Sequence, residues 1–191
     1  MKTATVKLRS LAPYNQSRQH FAERLDGGKE SHDEYEKRTW KEKGHYDDKG
    51  AAYIPPMAFK GALAKAASML SIPIKGKGKA LYTKHFVAGV MVTDPLSLGV
   101  KKDAVEPQWI SVDPQGRKGG MGVMRAFPHF DKWEGTIQMH VLDDTIPKDI
   151  FERVLKEAGN FVGIGQFRPE KGGYFGRFEV ESVVWNANGE A

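Results

Sequence analysis

Toward the end of the chain an apolar helical stretch gives way to Gly163-Ile164-Gly165, followed by Gly173-Tyr174-Phe175-Gly176-Arg177 and a strand-like segment. A dinucleotide-binding G-x-G-x-x-G needs the opposite order, with its glycines leaving a strand and opening a helix. Here the glycines let the backbone reach φ > 0 and approach something closely, with N–H groups available for a phosphate or a neighbouring chain. Arg168, Lys171 and Arg177 place positive charge around the same loop. The same residues equally suit a tight β-hairpin whose glycines serve only its turns.

Hydrolytic chemistry has less to work with. It requires a nucleophile, a base and a group that stabilises developing charge, all within mutual reach. The six histidines are His20, His32, His45, His85, His129 and His140, and no two form an H-E-x-x-H or similarly close metal pair. Asp47-Asp48 and Asp143-Asp144 are neighbours in sequence, so their side chains diverge, and the second pair already offers capping oxygens ahead of Pro147. With no cysteine in the chain, disulfides, thiol catalysis and thiolate zinc sites are excluded. Lys75-Gly76-Lys77-Gly78-Lys79 is basic and glycine-rich but lacks the G-K-[ST] ending of a P-loop. No metal or cofactor is expected.

Binding finds more support. The net charge is +5 and the sequence pI about 9.3, which favours an anionic partner. Arg117, Lys118 and Arg125 lie in or beside a glycine-rich excursion at about 115–125, and Lys60 lies at the entry to a helix. Phe127, Phe130, Phe167, Tyr174 and Phe175 are interleaved with this charge and could stack on unpaired bases. At 191 residues the chain reads as one domain with insertions. Its N-terminus lacks the apolar run of a signal peptide, and no stretch approaches the ~20 apolar residues of a membrane span. The expectation is a soluble cytoplasmic protein with no membrane partner.

The elements that must position these residues can be read by period. Ala4, Val6 and Leu8 alternate with Thr5, Lys7 and Arg9, as in a half-buried strand. Residues 26–50 are almost wholly polar. Ser31 and Glu34 form a capping box for a short helix there, and Tyr35 and Trp40 are its only large apolar residues. This stretch reads as a projecting insertion whose Tyr35 and Trp40 are interface candidates. Phe59, Leu63, Ala66, Ala67 and Leu70 repeat at helical spacing after Pro56, and Pro73 ends that helix. Residues 86–93 and 109–112 read as buried strands, with loop between them, and Val123–Phe127 as the returning strand of the basic excursion. Ile137, Met139 and Val141 mark another strand. A helical face of Ile150, Phe151, Val154, Leu155 and Ala158 closes at Gly159, and Phe178, Val180 and Val184 begin the last strand. The order gives an α+β sandwich, two helices on one face of a mainly antiparallel sheet, and a ferredoxin-like (RRM-like) core with insertions fits it.

A second motif joins the glycine loop. Tyr53-Ile54-Pro55-Pro56-Met57-Ala58-Phe59-Lys60-Gly61-Ala62-Leu63 runs from a short strand into a helix. Together the two segments resemble the RAMP superfamily (repeat-associated mysterious proteins), the RNA-binding subunits of CRISPR effector complexes. That family carries a "Y-I-P-G-S-S-L-K-G-A-L"-like helix entry and a loop written roughly G-h-G-x5-G-h-G-h-h, where h is hydrophobic. Here Pro56-Met57-Ala58 replaces Gly-Ser-Ser, two residues rather than one separate Gly173 from Gly176, and Arg177 follows. The chain is also similar to uncharacterised proteins of tailed phages and prophages.

The resemblance implies the ferredoxin-like fold and a non-catalytic protein that binds single-stranded RNA or DNA. It implies homo-oligomers along the strand, or association with other CRISPR or phage subunits, with residues 115–125 or the 26–50 arm reaching a neighbour. The nucleic-acid residues would be Lys60, Arg117, Lys118, Arg125, Gly163, Gly165, Arg168, Lys171, Gly173, Gly176 and Arg177. RAMP-type processing nucleases offer an alternative, with His20 or His85 as a base assisted by Lys84. A phage protein acting on a host CRISPR complex through protein contacts is another.

Overall fold

The first strand, β1 (Lys2–Ser10), buries Ala4, Val6 and Leu8 completely and leaves Lys7 and Arg9 exposed, as their alternation requires. In this computed structural model, which describes residues 1–113 and 122–186, there follow β2 (Tyr14–Asn15), α1 (His32–Thr39), β3 (Ala51–Ile54), α2 (Pro56–Leu70) and α3 (Thr83–Gly89). Next come β4 (Val90–Val92), β5 (Leu96–Lys101), β6 (Glu106–Val112), β7 (Val123–Phe130) and β8 (Glu134–Val141). The series ends with α4 (Lys148–Glu157) and β9 (Phe178–Asn186).

The main sheet is antiparallel in the order β4-β8-β1-β9. With α2 between β1 and β4, and α4 between β8 and β9, the connectivity is βαββαβ and the fold is ferredoxin-like α+β. One face of the sheet meets α2 and α4. Phe59 of α2 packs edge-on against Trp133 and Phe178, and Phe151 of α4 packs between Phe86 and Trp185. Burying Phe151, Val154 and Leu155 stabilises the α4 contact by ~1.5–3 kcal/mol per side chain. A second sheet, β2-β7-β6, and the β3-β5 pair stand beside this core. No helix among the described residues is long and apolar enough to cross a membrane.

Pro56 opens α2, as its missing N–H permits, but Pro73 does not end it. Ser71 takes a left-handed conformation (φ 45°), and its N–H returns to Ala67 O at 3.2 Å. Residues 86–93, expected as one strand, split into the end of α3 and β4, because Lys60 caps the α3 carbonyls. The stretch expected as loop before Trp109 holds β5 and the start of β6. Gly159 does not close the last helix. The chain continues through one wide π-type turn (Ala158–Val162), and Gly163 ends it at φ 69°. A Cβ on Gly159 would lie 2.0 Å from Phe178 O, so this glycine lets the helix end touch β9. Val123–Phe127 does return as a strand, with Val123 opposite Val112.

The polar 26–50 segment does not project. Ser31 and Glu34 form the capping box of α1, and the arm then lies against β7. Glu36 Oε2 meets Lys43 Nζ at 2.5 Å. Ala126 N–H of β7 donates to Glu36 (3.1 Å), and Lys43 donates to Ala126 O (3.0 Å). These two side chains supply Ala126 with the partners a neighbouring strand would provide. Gln16 completes the attachment: its amide donates to Tyr53 O and accepts from His45 N–H. Sequence reading missed this because a charged residue is almost never buried unless paired, and pairing is not visible along the chain.

The glycine loop is not a hairpin. It is sewn backbone to backbone onto the turn after β1. Gly176 N–H donates to Pro13 O (2.7 Å), Gln166 N–H to Asn15 O (2.9 Å), Leu11 N–H to Arg177 O (2.9 Å) and Ile164 N–H to Gly176 O (3.0 Å). A Cβ on Gly176 (φ 78°) would sit 1.8 Å from Ile164 O.

Two stability predictions follow from these contacts. Lys43→Met strands Glu36 in a buried site and should cost ~3–5 kcal/mol in urea unfolding; a change within ~0.5 kcal/mol would mean the pair is not a clamp. Gly176→Ala should destabilise clearly more than Gly172→Ala, which shares the positive φ (75°) but meets nothing within 4 Å. Equal losses would show that the seam is not sterically closed.

Candidate nucleic-acid interface

The backbone donors of the glycine loop are not held ready for a ligand. Gly163, Gly173 and Gly176 N–H groups donate to Ala158, Arg168 and Pro13 carbonyls. The glycines serve close packing instead: added Cβ atoms would stand 2.3 Å from Asn15 O at Gly165 and 1.8 Å from Phe167 O at Gly173. Phe167 itself is left-handed (φ 56°), a strained conformation for a bulky residue, held by the Phe175 N–H to Phe167 O bond.

What the loop presents is charge. Arg168 forks onto Glu170 through Nε (2.9 Å) and Nη2 (2.8 Å), and its Nη1 donates to Gly165 O. Lys65, from the middle of α2, reaches the same carboxylate at 3.3 Å, and Lys171 stands 3.9 Å from it. Burial opposes ionisation of Glu170, but hydrogen bonds from Arg168 and Lys65 outweigh it and hold the carboxyl below its usual range. Three cations thus share one anion, which leaves a local excess of two positive charges. They border a groove of about 390 Å³ between α2 and the loop, lined by Met57, Gly61, Lys65, Gly163, Gly165 and Arg168.

Arg177 follows the last glycine of the loop, with Nε on Asn160 O and Nη1 on Tyr174 O, both 3.3 Å, and no carboxylate partner among the described residues. The two segments that hold it carry the exposed rings Phe161 and Tyr174, each 60% exposed. Phe161 was not legible as a site residue. The turn that carries it widens after Ala158, keeping Val162 in the buried stripe and leaving Phe161 outside.

The other candidates are dispersed. Lys60 donates to Phe86 O (2.6 Å) and Val87 O (2.8 Å), and burial lowers its ammonium pKa; it fastens α3 rather than facing a ligand. Arg125 is exposed on β7 and free of ion pairs and hydrogen bonds among the described residues. Arg117 and Lys118 lie outside the described residues. Phe127 and Phe130 are buried, Phe167 packs edge-on against Phe127, and Phe175 packs against His129. Of the five aromatics read as stacking candidates, Tyr174 alone is exposed.

The open face of the main sheet is not a stacking platform either. It carries Thr5, Lys7, Arg9, Thr136 and Gln138, and its cations are spent: Lys7 meets Glu181 at 2.8 Å, and Arg9 pairs with Glu179 and Glu181.

Tyr35 is engaged within the arm. Its hydroxyl donates to Ala22 O, and its ring lies against His20, Arg24 and Arg38. Trp40 is partly buried against the core. Among the histidines, His85 has a catalytic look: Nδ1–H donates to Asp143 Oδ2 at 2.5 Å, beside Lys84. That bond holds the Asp143 carboxyl below its usual range. Asp143 therefore does not cap α4, whose N-cap is Pro147. Among the described residues, no three His, Asp or Glu side chains gather into a metal site.

No protein-family model matches the chain, and no curated protein sequence matches it. Among solved structures it is similar to a chain of the Type III-B Cmr-beta complex bound to cognate target RNA, with 14% sequence identity and a TM-score of 0.48. The alignment covers 97% of this chain but 60% of that one, so the chain spans less than two thirds of its neighbour's length. A likeness this distant does not carry the neighbour's role across to this chain.

Proposed function

We propose that the protein binds single-stranded RNA or DNA without cleaving it, in the manner of a RAMP-like subunit, and assembles along the strand. The observation that carries the reading is the cluster of Lys65, Arg168 and Lys171 around one carboxylate at the edge of a groove. Exposed cations beside a groove attract phosphates whatever the sequence. Phe161 and Tyr174, exposed on the two segments that hold Arg177, offer faces on which unpaired bases can stack, which a duplex would not allow. Glu170 orients the cations but neutralises only one of them, so a phosphate completes the charge balance.

The His85–Asp143 pair favours a second reading, metal-independent RNA cleavage, because the carboxylate fixes the ring and leaves Nε2 as a base. It stands apart from the groove, on α3 and the β8–α4 turn.

Removing Lys65 and Lys171 together as alanines leaves Arg168 on Glu170 and should keep the fold. The slope of log affinity against log salt for a single strand should fall by ~1.4, at ~0.7 per lost phosphate contact. Tyr174→Ala should weaken binding by ~1–3 kcal/mol without changing that slope. Unchanged binding in both variants refutes the reading. Labelled RNA incubated with the protein should stay intact; cleavage that His85→Ala abolishes would put the second reading in its place.

Assembly is tested at the arm. Deleting it would strip β7 of its partners, so a point variant is required. Phe21, 86% exposed beside the arm, is the residue to change. Phe21→Ala should still bind short strands but lose the large species that wild type forms on long ones in sedimentation. Assembly as complete as wild type would exclude this surface.

A further inference from the structure

From Lys49 to Thr93 the chain contains no aspartate or glutamate, yet it carries seven lysines. A 45-residue block of one sign stands out in a chain with 24 acidic residues, and three of its seven lysines fall within five residues. Lys75, Lys77 and Lys79 sit on a turn between α2 and α3, each exposed. None of their three ammonium groups makes a hydrogen bond or ion pair among the described residues, and neither does that of Lys84 nearby.

The turn is fixed, not a loose connector. Ile74 is buried (6% exposed) and its N–H donates to Ala80 O at 2.9 Å. Lys77 N–H donates to Ile74 O and Ala80 N–H to Lys77 O, while Pro73 bridges Leu81 across the base. Gly76 (φ 75°) and Gly78 (φ 58°) supply the left-handed residues that such a tight double turn needs. Three ammonium groups are therefore crowded onto five residues without an internal counter-ion, and their mutual repulsion is relieved by an external anion.

The position of this knuckle gives the anion its identity. α2 separates it from the groove. Met57, Gly61, Lys65 and Met69 recur every fourth residue on the exposed side of α2; the first three line the groove, where Lys65 meets Glu170, and Met69 leads on toward the knuckle. From Lys65 at the groove to Leu70 at the end of α2 the helix rises ~8 Å at 1.5 Å per residue, or about two nucleotides at ~3.4 Å each in a stacked strand. We infer that Lys75, Lys77 and Lys79 form a second phosphate anchor, which holds the nucleic-acid strand at the far end of α2 from the glycine-loop groove.

This inference rests on the nucleic-acid reading, and the experiment separates the two. Lys75→Gln, Lys77→Gln and Lys79→Gln are combined and compared with wild type on a 20-nucleotide single strand over a salt series, together with thermal melting. The expected result is a salt slope lower by ~2, for three contacts at ~0.7 each, with the melting temperature unchanged. An unchanged slope overturns the second anchor and leaves the groove standing. A lower melting temperature with an unchanged slope also overturns it, since the lysines would then only balance the negative C-terminal end of α2. Poly-glutamate bound by wild type but not by the triple variant, with strand affinity equal, assigns the knuckle to an acidic protein and overturns it as well. Wild type that binds no strand at all defeats the nucleic-acid reading itself.

Discussion

The contact on which the remaining architecture depends is the approach of two backbones, that of residues 163–177 and that of the turn after β1. Gly176 and Gln166 donate to Pro13 and Asn15, and Arg177 accepts from Leu11. Each strand of this seam belongs to something else. The turn after β1 leads into β2 and the second sheet; the glycine loop leads from α4 into β9. Closing the seam joins the ferredoxin-like core to the β2-β7-β6 sheet and fixes where Arg168, Glu170 and Arg177 stand. A side chain at Gly165 would push the two backbones apart at Asn15, and one at Gly176 would push the loop apart at Ile164, so geometry demands both glycines.

Charge is then distributed unevenly over a rigid frame. On the open sheet face cations and carboxylates occur together and cancel, and surface pairs of this kind contribute little to stability. In the arm, Glu36 and Lys43 are buried together, where breaking the pair is costly. At the groove the balance is broken, with Glu170 facing three cations. Between Lys49 and Thr93 the chain supplies no carboxylate of its own, and of the lysines there only Lys65 meets one among the described residues, that of Glu170.

Alternation in β1 and β8, the Pro56 helix start and the apolar stripe of α4 are local signals that make the α+β class legible in sequence. In β9 the alternation of Phe178, Val180 and Val184 fails, because an irregularity at Glu181 turns Val183 and Trp185 toward the core and leaves Val184 exposed. The α3–β4 junction was read as a single strand because Phe86, Val87, Val90 and Val92 look alike along the chain. The cap that separates helix from strand comes from Lys60, 26 residues away. For the same reason Lys60 was read as a ligand-facing cation. Arg168 and Lys171 were found from their neighbours in sequence, whereas Lys65 and Glu170 became partners only through packing. Phe161 was overlooked because the widened turn that turns it outward has no signature in residue types. The fold of the arm was half legible: its capping box is written in sequence, its docking is not.

The Glu36–Lys43 pair has a consequence for the fate of a damaged chain. An unsatisfied strand edge is a template on which other extended chains can pair. In the intact molecule β2 covers the Phe130 end of β7, and the two charged side chains cover Ala126. The chain between Gln16 and β3 runs largely over the surface, where Phe21 and Leu25 are exposed and a protease could enter. Cleavage there would leave the ferredoxin-like core standing but free the arm to leave, and β7 would then offer an unguarded edge flanked by Phe127. The arm is in this sense a guard on the edge of the second sheet, and its loss would appear first as aggregation.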